Sequence, residues 1–359
     1  VCVWEYPLVS TRNPLFDEMA SKGWLLKDAA TGEPWRYEWE SEAWGPVLTP
    51  LPTSGLVDFT HPDAYAFWRD RHKALFDIGV DMIKADFGEQ VLDGMVASNG
   101  ERGHALHNVY AYLYNKCVYE AAGRYCKSGA FLFSRAAWTG SQRFPSQWGG
   151  DPQADFEGLA ASLRGGLSWG MTGAPFYATD VGGFYGDTRD PLLYVRWAQA
   201  AVFSAHMRLH GIGAREPWSY GPEAEAAAMK ALRLRYRLIP YIEKAMADAA
   251  ASGLPVQRAM ALACPGEPEA WAFEDQFFFG DDLLVAPCLR ADSAVQVYLP
   301  EGDWRRFPDG ARFEGGRSHR LILGLDEIAV FARAGARIPL GPELETTAAT
   351  PSGVEYWVA

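Results

Sequence analysis

Three things are scarce in this sequence: long apolar runs, cysteine pairs and positive charge. No run of about 18 apolar residues occurs, so the sequence contains no candidate transmembrane helix. The five cysteines are dispersed without CxxC pairs or zinc-ligand spacing, which indicates buried thiols in a reducing compartment and not a disulfide framework. With 33 Lys and Arg against 45 Asp and Glu, the net charge is −12. This charge argues against nucleic acid or an anionic membrane surface as a partner.

The sequence is rich in apolar and aromatic residues. Its 359 residues are 48% hydrophobic, enough for one large domain with a small one or for two ordinary domains. Aromatic residues make up 14%, and Trp and Tyr are side chains that stack on sugar rings. The first residues, from Val1, already form a strand pattern, so we expect a fragment of a longer protein. We expect a cytoplasmic location, with secretion left open because the N-terminus is missing.

Short apolar strands that end in charged residues recur along the sequence and alternate with helical patterns. The first is the stretch 79–89, in which Val80, Met82 and Ile83 precede Lys84, Asp86 and Glu89. Residues 130–135 and 174–180 repeat the pattern, ending in Arg135 and Asp180. Such alternation predicts right-handed βαβ units, and charges at successive strand ends favour closure into a barrel. The predicted fold class is α/β, a (β/α)8 TIM barrel that is incomplete at its N-terminus, followed by a small all-β domain.

The predicted domains are residues 1–283 for the barrel and residues 284–359 for a small antiparallel β domain. A long excursion over residues 29–54 carries Trp35, Trp39 and Trp44, which favours a functional lid. Other local predictions are a strand at residues 57–60 with Thr60 as the following N-cap, a helix at 64–78, a helix at 156–170 interrupted at Gly165-Gly166, and a long helix at 223–251 broken by Pro240.

The chemistry depends on two carboxylates, Asp86 and Asp151, each at or beyond a predicted strand end. Two carboxyl groups across one pocket suit glycosidic bond cleavage, with one ionised and one holding a proton for the departing oxygen. Retaining and inverting geometries both stay open at this point. Lys84 lies two residues before Asp86 on the same strand face and would favour its ionised form.

Each of these residues also has a plain structural interpretation. Lys84 and Asp86 can form a simple salt bridge, and Asp151 follows Gly149-Gly150 in a sequence with turn chemistry of its own. A single histidine such as His210 is more often structural than functional. Arg135 and Asp180 can form a buried pair or can bind sugar hydroxyls.

Taken together, these motifs resemble glycoside hydrolase family 31 in order and spacing from Val1 to Ala359. The motifs are Lys84-Ala85-Asp86-Phe87-Gly88-Glu89, His107-Asn108-Val109-Tyr110, Ser134-Arg135, Gln147-Trp148-Gly149-Gly150-Asp151, Asp180-Val181-Gly182-Gly183-Phe184 and Arg208-Leu209-His210-Gly211.

The resemblance implies a retaining, exo-acting α-glycosidase that needs no metal or organic cofactor and acts on an oligosaccharide or small glycoside. It implies that Asp86 is the nucleophile and Asp151 the general acid/base. The Lys-x-Asp-Phe-Gly-Glu form is similar to that of the α-xylosidases, whereas many α-glucosidases carry Asp-Met-Asn-Glu there. The parent protein could form a homo-oligomer. The substrate-binding positions that the resemblance implies are Lys84, Arg135, Trp148, Asp180, His210, Trp4 and Phe87.

The sequence also departs from the family pattern, and alternatives stay open. An N-terminal β-sandwich and a first barrel strand would precede Val1, and Trp4-Glu5-Tyr6-Pro7 differs from the usual Trp-x-Asn-Pro. An α-glucosidase or α-galactosidase is the alternative within the family. Outside it, the alternatives are a non-catalytic carbohydrate-binding relative and a metal-dependent barrel enzyme. The ligands of the latter would come from Asp86, Glu89, Asp180 and His210.

Overall fold

The structure, a computed structural model, describes residues 1–39, 51–186, 189–347 and 353–359. These residues form two compact units, Val1–Gln147 and Trp148–Ala359. Each unit has hydrophobic clusters of its own, one in the first unit and two in the second. Trp44 of the predicted lid lies outside the described residues.

The first unit is built on parallel strands separated by helices. In order along the sheet, β1 pairs with β5, β5 with β7 and β7 with β8, all parallel. Two antiparallel pairs, β2 with β4 and β3 with β6, lie outside this sheet. The elements are β1 (Cys2–Glu5), β2 (Leu8–Ser10), α1 (Pro14–Ser21), β3 (Lys27–Asp28), β4 (Ser54–Leu56), α2 (Pro62–Arg71), α3 (Lys73–Asp77), β5 (Met82–Ala85), β6 (Met95–Val96), α4 (Gly103–Tyr125), β7 (Leu132–Ser134), a 3-10 turn (Ser141–Arg143) and β8 (Gln147–Trp148).

The strand β5 shows why this unit folds as it does. Ile83 and Ala85 are fully buried, so the strand has apolar contacts over its length and ends where Asp86 begins the charged segment. The register places Trp4 beside Lys84 and Glu5 beside Ala85, and on the other side Lys84 beside Phe133. The ends of β1, β5 and β7 therefore lie at one edge of the sheet.

Three local predictions in the first unit are wrong. Residues 57–60 are not a strand: the Asp58 carboxylate accepts hydrogen bonds from the Thr60 backbone and hydroxyl, at 2.9 and 2.6 Å, and this forms a turn. The N-cap of α2 is consequently His61, whose ring nitrogen accepts the Asp63 N–H at 3.2 Å. The predicted helix 64–78 is two helices, with the break at His72, between α2 and α3.

The second unit contains helices, one short parallel strand pair and antiparallel sheets. β10 and β11 are parallel, and β12-β13-β14-β19-β16-β17 form a six-stranded sheet of antiparallel pairs. The elements are α5 (Phe156–Met171), β9 (Tyr177–Ala178), β10 (Asp180–Val181), α6 (Pro191–Ala201), β11 (Arg208–Leu209), a 3-10 turn (Pro217–Tyr220), α7 (Pro222–Arg237), α8 (Ile239–Ser252), β12 (Gln257–Ala259), α9 (Met260–Ala263), a 3-10 turn (Pro268–Ala272), β13 (Phe277–Phe279), β14 (Leu283–Ala286), β15 (Ala294–Leu299), β16 (Asp303–Arg306), β17 (Arg312–Glu314), β18 (Arg317–Ile322), β19 (Ala329–Arg333), β20 (Arg337–Leu340) and β21 (Glu355–Val358).

The two predicted helix breaks of the second unit have different outcomes. The predicted break near Pro240 is present, because α7 ends at Arg237 and Pro240 lies in the first turn of α8. The predicted interruption at Gly165-Gly166 is absent, since α5 runs through both glycines. A side chain at Gly166 would overlap the ring of Tyr177, so this glycine serves close packing and does not break the helix. The domain boundary between residues 283 and 284 stays a prediction.

The cysteines match the expected burial only in part. Cys117, Cys264 and Cys288 are buried, and Cys126 is half-buried. Cys2 is exposed on the first strand, so the expectation of burial is wrong for this residue. Within the described residues, no helix is both long enough and apolar enough to cross a bilayer.

Candidate active site

Asp86 is a buried carboxylate of the first unit whose two oxygens both have polar partners. It follows β5 directly and is only 6% exposed. Its Oδ2 accepts a hydrogen bond from Trp4 Nε1 at 2.7 Å and lies 3.8 Å from Lys84 Nζ. Its Oδ1 accepts the Phe87 N–H at 2.8 Å and lies 3.0 Å from Arg135 Nη1. Both oxygens are therefore held by donors or cations that come from three parallel strand ends.

Arg135 connects Asp86 to a second carboxylate. Its Nε and Nη2 donate to the two oxygens of Glu89 at 2.9 and 2.8 Å, a bidentate arrangement. The guanidinium also lies 4.1 Å from the centre of the Phe87 ring. The arginine is thus fixed by two carboxylates and an aromatic face, and it fixes Asp86 in return.

The backbone after Asp86 turns sharply. Phe87 has φ of 61°, an unusual value for a residue with a side chain, and Gly88 has φ of 108°. A left-handed non-glycine residue costs about 1–3 kcal/mol, and such strain is concentrated at functional sites. This turn directs the Phe87 N–H back to its neighbour Asp86 and brings Glu89 to Arg135.

An aromatic wall, formed by Trp4, Tyr6, Trp39 and Phe87, lies beside the carboxylate. The Phe87 ring is 5.9 Å from Tyr6 and 5.0 Å from Trp39, both edge-on, and Trp4 is 4.9 Å from Tyr6. Trp4 is 46% exposed although its indole is hydrogen-bonded. An exposed aromatic face beside a fixed carboxylate is suited to a sugar ring. Tyr6 was not singled out from the sequence, and Trp39 was noted only as part of the excursion.

In the second unit, the loop that carries Asp151 is attached to the loop after β10. Phe184 and Tyr185 N–H groups donate to the Pro152 carbonyl at 2.7 and 3.1 Å, and the Ala154 N–H donates to the Tyr185 carbonyl at 2.7 Å. The Tyr185 hydroxyl lies 3.5 Å from Asp151 Oδ2. Asp151 is half-buried, so this side chain is supported by a neighbouring loop and still reaches solvent.

Glycines permit this loop pairing. A side chain on Gly183, whose φ is 78°, would overlap the backbone of Ala154. A side chain on Gly149 would overlap the Tyr177 hydroxyl. Gly149 therefore allows close contact with a protein side chain. Arg215 is 7% exposed and donates to the Gly183 carbonyl at 2.8 Å. This hydrogen bond helps to fix the loop after β10.

The remaining predicted residues of the second unit lie around β10 and β11. Asp180 is fully buried and forms an ion pair with Arg208, its register partner. The Arg208 guanidinium is 5.1 Å from the ring centre of Trp148, which is also fully buried. The half-buried His210 lies two residues beyond Arg208, with its ring 5.5 Å from that of Phe184.

A second histidine near β11, His206, is kept uncharged by its surroundings. Burial, together with the positive charges of Arg208 and Arg235, lowers the pKa of His206 to about 3. His206 is therefore neutral at physiological pH, and the cations near Asp180 are arginines.

The metal-site alternative is opposed by the donors' own contacts. Asp86 faces two cations, Glu89 is bound by Arg135, and Asp180 is paired with Arg208. Across the described ranges, no group of three or more His, Cys, Asp or Glu side chains is arranged to hold a metal ion.

The structure groups the predicted site residues Trp4, Lys84, Asp86, Phe87 and Arg135 in the first unit. In the second it groups Trp148 with Asp180, and Asp151 and His210 with the residues 182–185 loop.

Parallel strands separated by helices, with carboxylates at the strand ends, and antiparallel sheets toward the C-terminus are the elements expected of a barrel enzyme followed by a β domain. Residues 1–245 match the family model "Glycosyl hydrolases family 31 TIM-barrel domain", and residues 253–338 match "Glycosyl hydrolase family 31 C-terminal domain". The chain belongs to glycoside hydrolase family 31. The predicted fold class, a TIM barrel followed by a β domain, is confirmed.

Known relatives cover nearly the whole chain. An alpha-xylosidase of Emericella nidulans is 34% identical over 369 residues, which is 99% of this chain and 46% of the relative. A GH31 dextranase of Flavobacterium johnsoniae, solved with glucose, has a TM-score of 0.88 and 32% identity over 96% of this chain and 44% of its own. A GH31 alpha-xylosidase from a soil metagenome, solved with xylose, has a TM-score of 0.83 and 31% identity over 93% of this chain and 53% of its own. The chain spans about half the length of these proteins.

Proposed function

We propose that this chain carries the catalytic centre of a retaining, exo-acting α-glycosidase, with α-xylosidase as its activity. The observation that carries the proposal is the setting of Asp86, a carboxylate whose two oxygens are fixed by Trp4, Lys84, Phe87 and Arg135 beside an exposed aromatic face. A nucleophilic carboxylate needs this combination of fixed orientation and nearby positive charge.

In the proposed reaction, Asp86 attacks the anomeric carbon of the terminal sugar while Asp151 gives its proton to the leaving oxygen. The bond between the sugar and the aglycone breaks, and a covalent glycosyl-enzyme forms on Asp86. Asp151, now ionised, takes a proton from water as that water attacks the same carbon and releases the sugar with its original configuration. Retention requires the two carboxyl groups to face one sugar ring, about 5–5.5 Å apart.

The other predicted residues have binding roles in this proposal. Lys84 and Arg135 are cations that touch Asp86, and they can also donate to sugar hydroxyls. Trp4 and Phe87 supply apolar surface for the sugar face. In the second unit, Trp148, Asp180 and His210 complete the proposed binding set, with Asp180 acting together with Arg208.

The choice of xylose is supported by two observations. The Lys84–Glu89 segment has the form seen in the α-xylosidases, and the Emericella nidulans relative and the soil-metagenome structure are both named alpha-xylosidases. α-Glucosidase is the second candidate, because the Flavobacterium johnsoniae dextranase was solved with glucose at a similar level of identity.

Hydrolysis of nitrophenyl α-xyloside, α-glucoside and α-galactoside tests this proposal directly. We expect the highest kcat/KM on the α-xyloside, with the α-anomer of xylose released first in an NMR time course. Asp86→Ala should abolish turnover and serves as the background control. Preference for the α-glucoside would select the second candidate, and release of the β-anomer first would contradict a retaining mechanism.

A further inference from the structure

A partly buried carboxylate of β1, Glu5, is paired with a buried histidine of the first unit, His72. Glu5 Oε2 lies 2.5 Å from His72 Nε2, and Trp68 Nε1 donates to Glu5 Oε1 at 3.3 Å. The His72 side chain is 3% exposed and that of Glu5 is 17% exposed. The two residues are 67 positions apart and join the end of β1 to the junction of α2 and α3.

The contacts identify His72 as a cation. Its second nitrogen, Nδ1, lies 2.9 Å from the Trp68 carbonyl and 3.2 Å from the Arg69 carbonyl. Both ring nitrogens therefore face oxygen acceptors, and only the doubly protonated imidazolium donates to both sides. Burial lowers the pKa of His72, but the Glu5 carboxylate and the two carbonyls raise it by more. The pair is a partly buried imidazolium–carboxylate ion pair.

Glu5 and the residue before it, Trp4, each form a hydrogen bond with Asp86. The Glu5 carbonyl accepts the Asp86 N–H at 2.9 Å, and Trp4, the residue before Glu5, donates its indole N–H to Asp86 Oδ2 at 2.7 Å. Burial, and then the negative charges of Glu5 and Asp86, raise the pKa of Tyr114. The end of β1, at Trp4 and Glu5, thus contacts both the backbone and one carboxylate oxygen of Asp86.

We propose that Glu5 and His72 are positioning residues for the nucleophile: their ion pair fixes the end of β1, and with it the hydrogen bond from Trp4 to Asp86. This inference rests on the proposed function and adds to it two residues that do not touch the sugar. Because a displacement of about 1 Å at a reacting group can reduce the rate about 100-fold, a pair that holds a strand end has a measurable effect on catalysis.

A double-variant cycle with Trp4→Phe separates positioning from simple stabilisation. His72→Gln should lower kcat on nitrophenyl α-xyloside roughly tenfold, with KM changed less than about twofold, because a small displacement of the nucleophile is involved. In the Trp4→Phe background the same substitution should lower kcat by less than about twofold, since the contact through which it acts is gone. Glu5→Gln combined with His72→Gln leaves no unpaired buried charge and should recover part of the activity if the single variant folds poorly.

The matched control is His61→Gln. His61 is the N-cap of α2, the helix whose C-cap is His72, and its ring nitrogen accepts a hydrogen bond from the Asp63 N–H. This substitution should lower the melting temperature while leaving kcat within about twofold. An equal loss of kcat for His72→Gln in both backgrounds, or a loss of stability without any loss of kcat, would overturn the positioning role alone. A wild-type protein, expressed with all the flanking sequence of its gene, that cleaves none of the nitrophenyl α-glycosides would overturn the proposed function and this inference together.

Discussion

Replacing Arg135 with Gln tests whether the Asp86 carboxylate depends on a buried cation. The two side chains are 14% and 8% exposed, and the closest atoms are 3.0 Å apart. Removing one partner of a buried ion pair costs about 3–5 kcal/mol, because the other charge stays behind without compensation. Lys84 remains 3.8 Å from the same carboxylate, and Glu89 is 40% exposed, so we expect the lower end, about 3 kcal/mol.

The assay is urea unfolding of the wild type and Arg135→Gln, followed by tryptophan fluorescence. A loss of about 3 kcal/mol corresponds to a shift of the midpoint by roughly 1 M urea. Arg124→Gln is the matched control, because Arg124 is 3.4 Å from Asp70 with both side chains about half exposed, at 52% and 42%. Surface pairs contribute about 0–1 kcal/mol. If the two variants lose equal stability, the buried pairing of Asp86 with Arg135 does not stabilise this unit as described.

Four further predictions concern separate parts of the chain. Asp151→Ala should spare aryl glycosides with good leaving groups far more than natural glycosides, and an equal loss of kcat/KM on both would contradict its role as acid. Gly183→Ala should destabilise the protein by at least about 2 kcal/mol more than Gly173→Ala in thermal unfolding, because both glycines have positive φ but only the first would overlap Ala154. The pKa of His72 is raised on folding, so its stabilising contribution is fully present below about pH 6.5, the unfolded value, and is lost as pH rises through the folded pKa. His72→Gln should lack this decline in urea midpoint with pH, and an unchanged pH profile would show that the histidine is not a folded-state cation. Activity on nitrophenyl α-xyloside should survive EDTA, and a loss that added divalent cations restore would favour the metal-dependent alternative.

The sequence predicted the parts of this fold that depend on local pattern and strand order. An apolar run that ends in Lys84 and Asp86, and another that ends in Arg135, predicted strand ends that share one edge of a sheet, and the structure places these side chains in contact. Parallel strands bring their carboxyl ends together whatever the intervening sequence does. The break near Pro240 was predictable from local chemistry alone, because proline is disfavoured inside a helix and accommodated in a first helical turn.

Contacts between distant residues were not predictable from one sequence. Nothing local to Glu5 indicates that His72 is its partner, and nothing near Asp151 indicates Tyr185. The strand prediction at residues 57–60 failed because a side chain can bind backbone groups in place of a neighbouring strand. The Asp58 carboxylate accepts two hydrogen bonds from Thr60, and these form a turn. Gly166 also misled the prediction, because it does not break the helix. A larger residue there would clash with the Tyr177 ring, which comes from a later strand and cannot be foreseen locally.

The most direct test of the account is to trap the covalent intermediate. A fluorinated α-xylosyl fluoride, which forms a glycosyl-enzyme faster than water cleaves it, should label the active protein once, and peptide mass spectrometry should place the sugar on Asp86. Asp86→Ala should take up no label. A sugar found on any other residue, or an active enzyme that accumulates no covalent intermediate and releases the β-anomer, would contradict the assignment of Asp86 as the nucleophile.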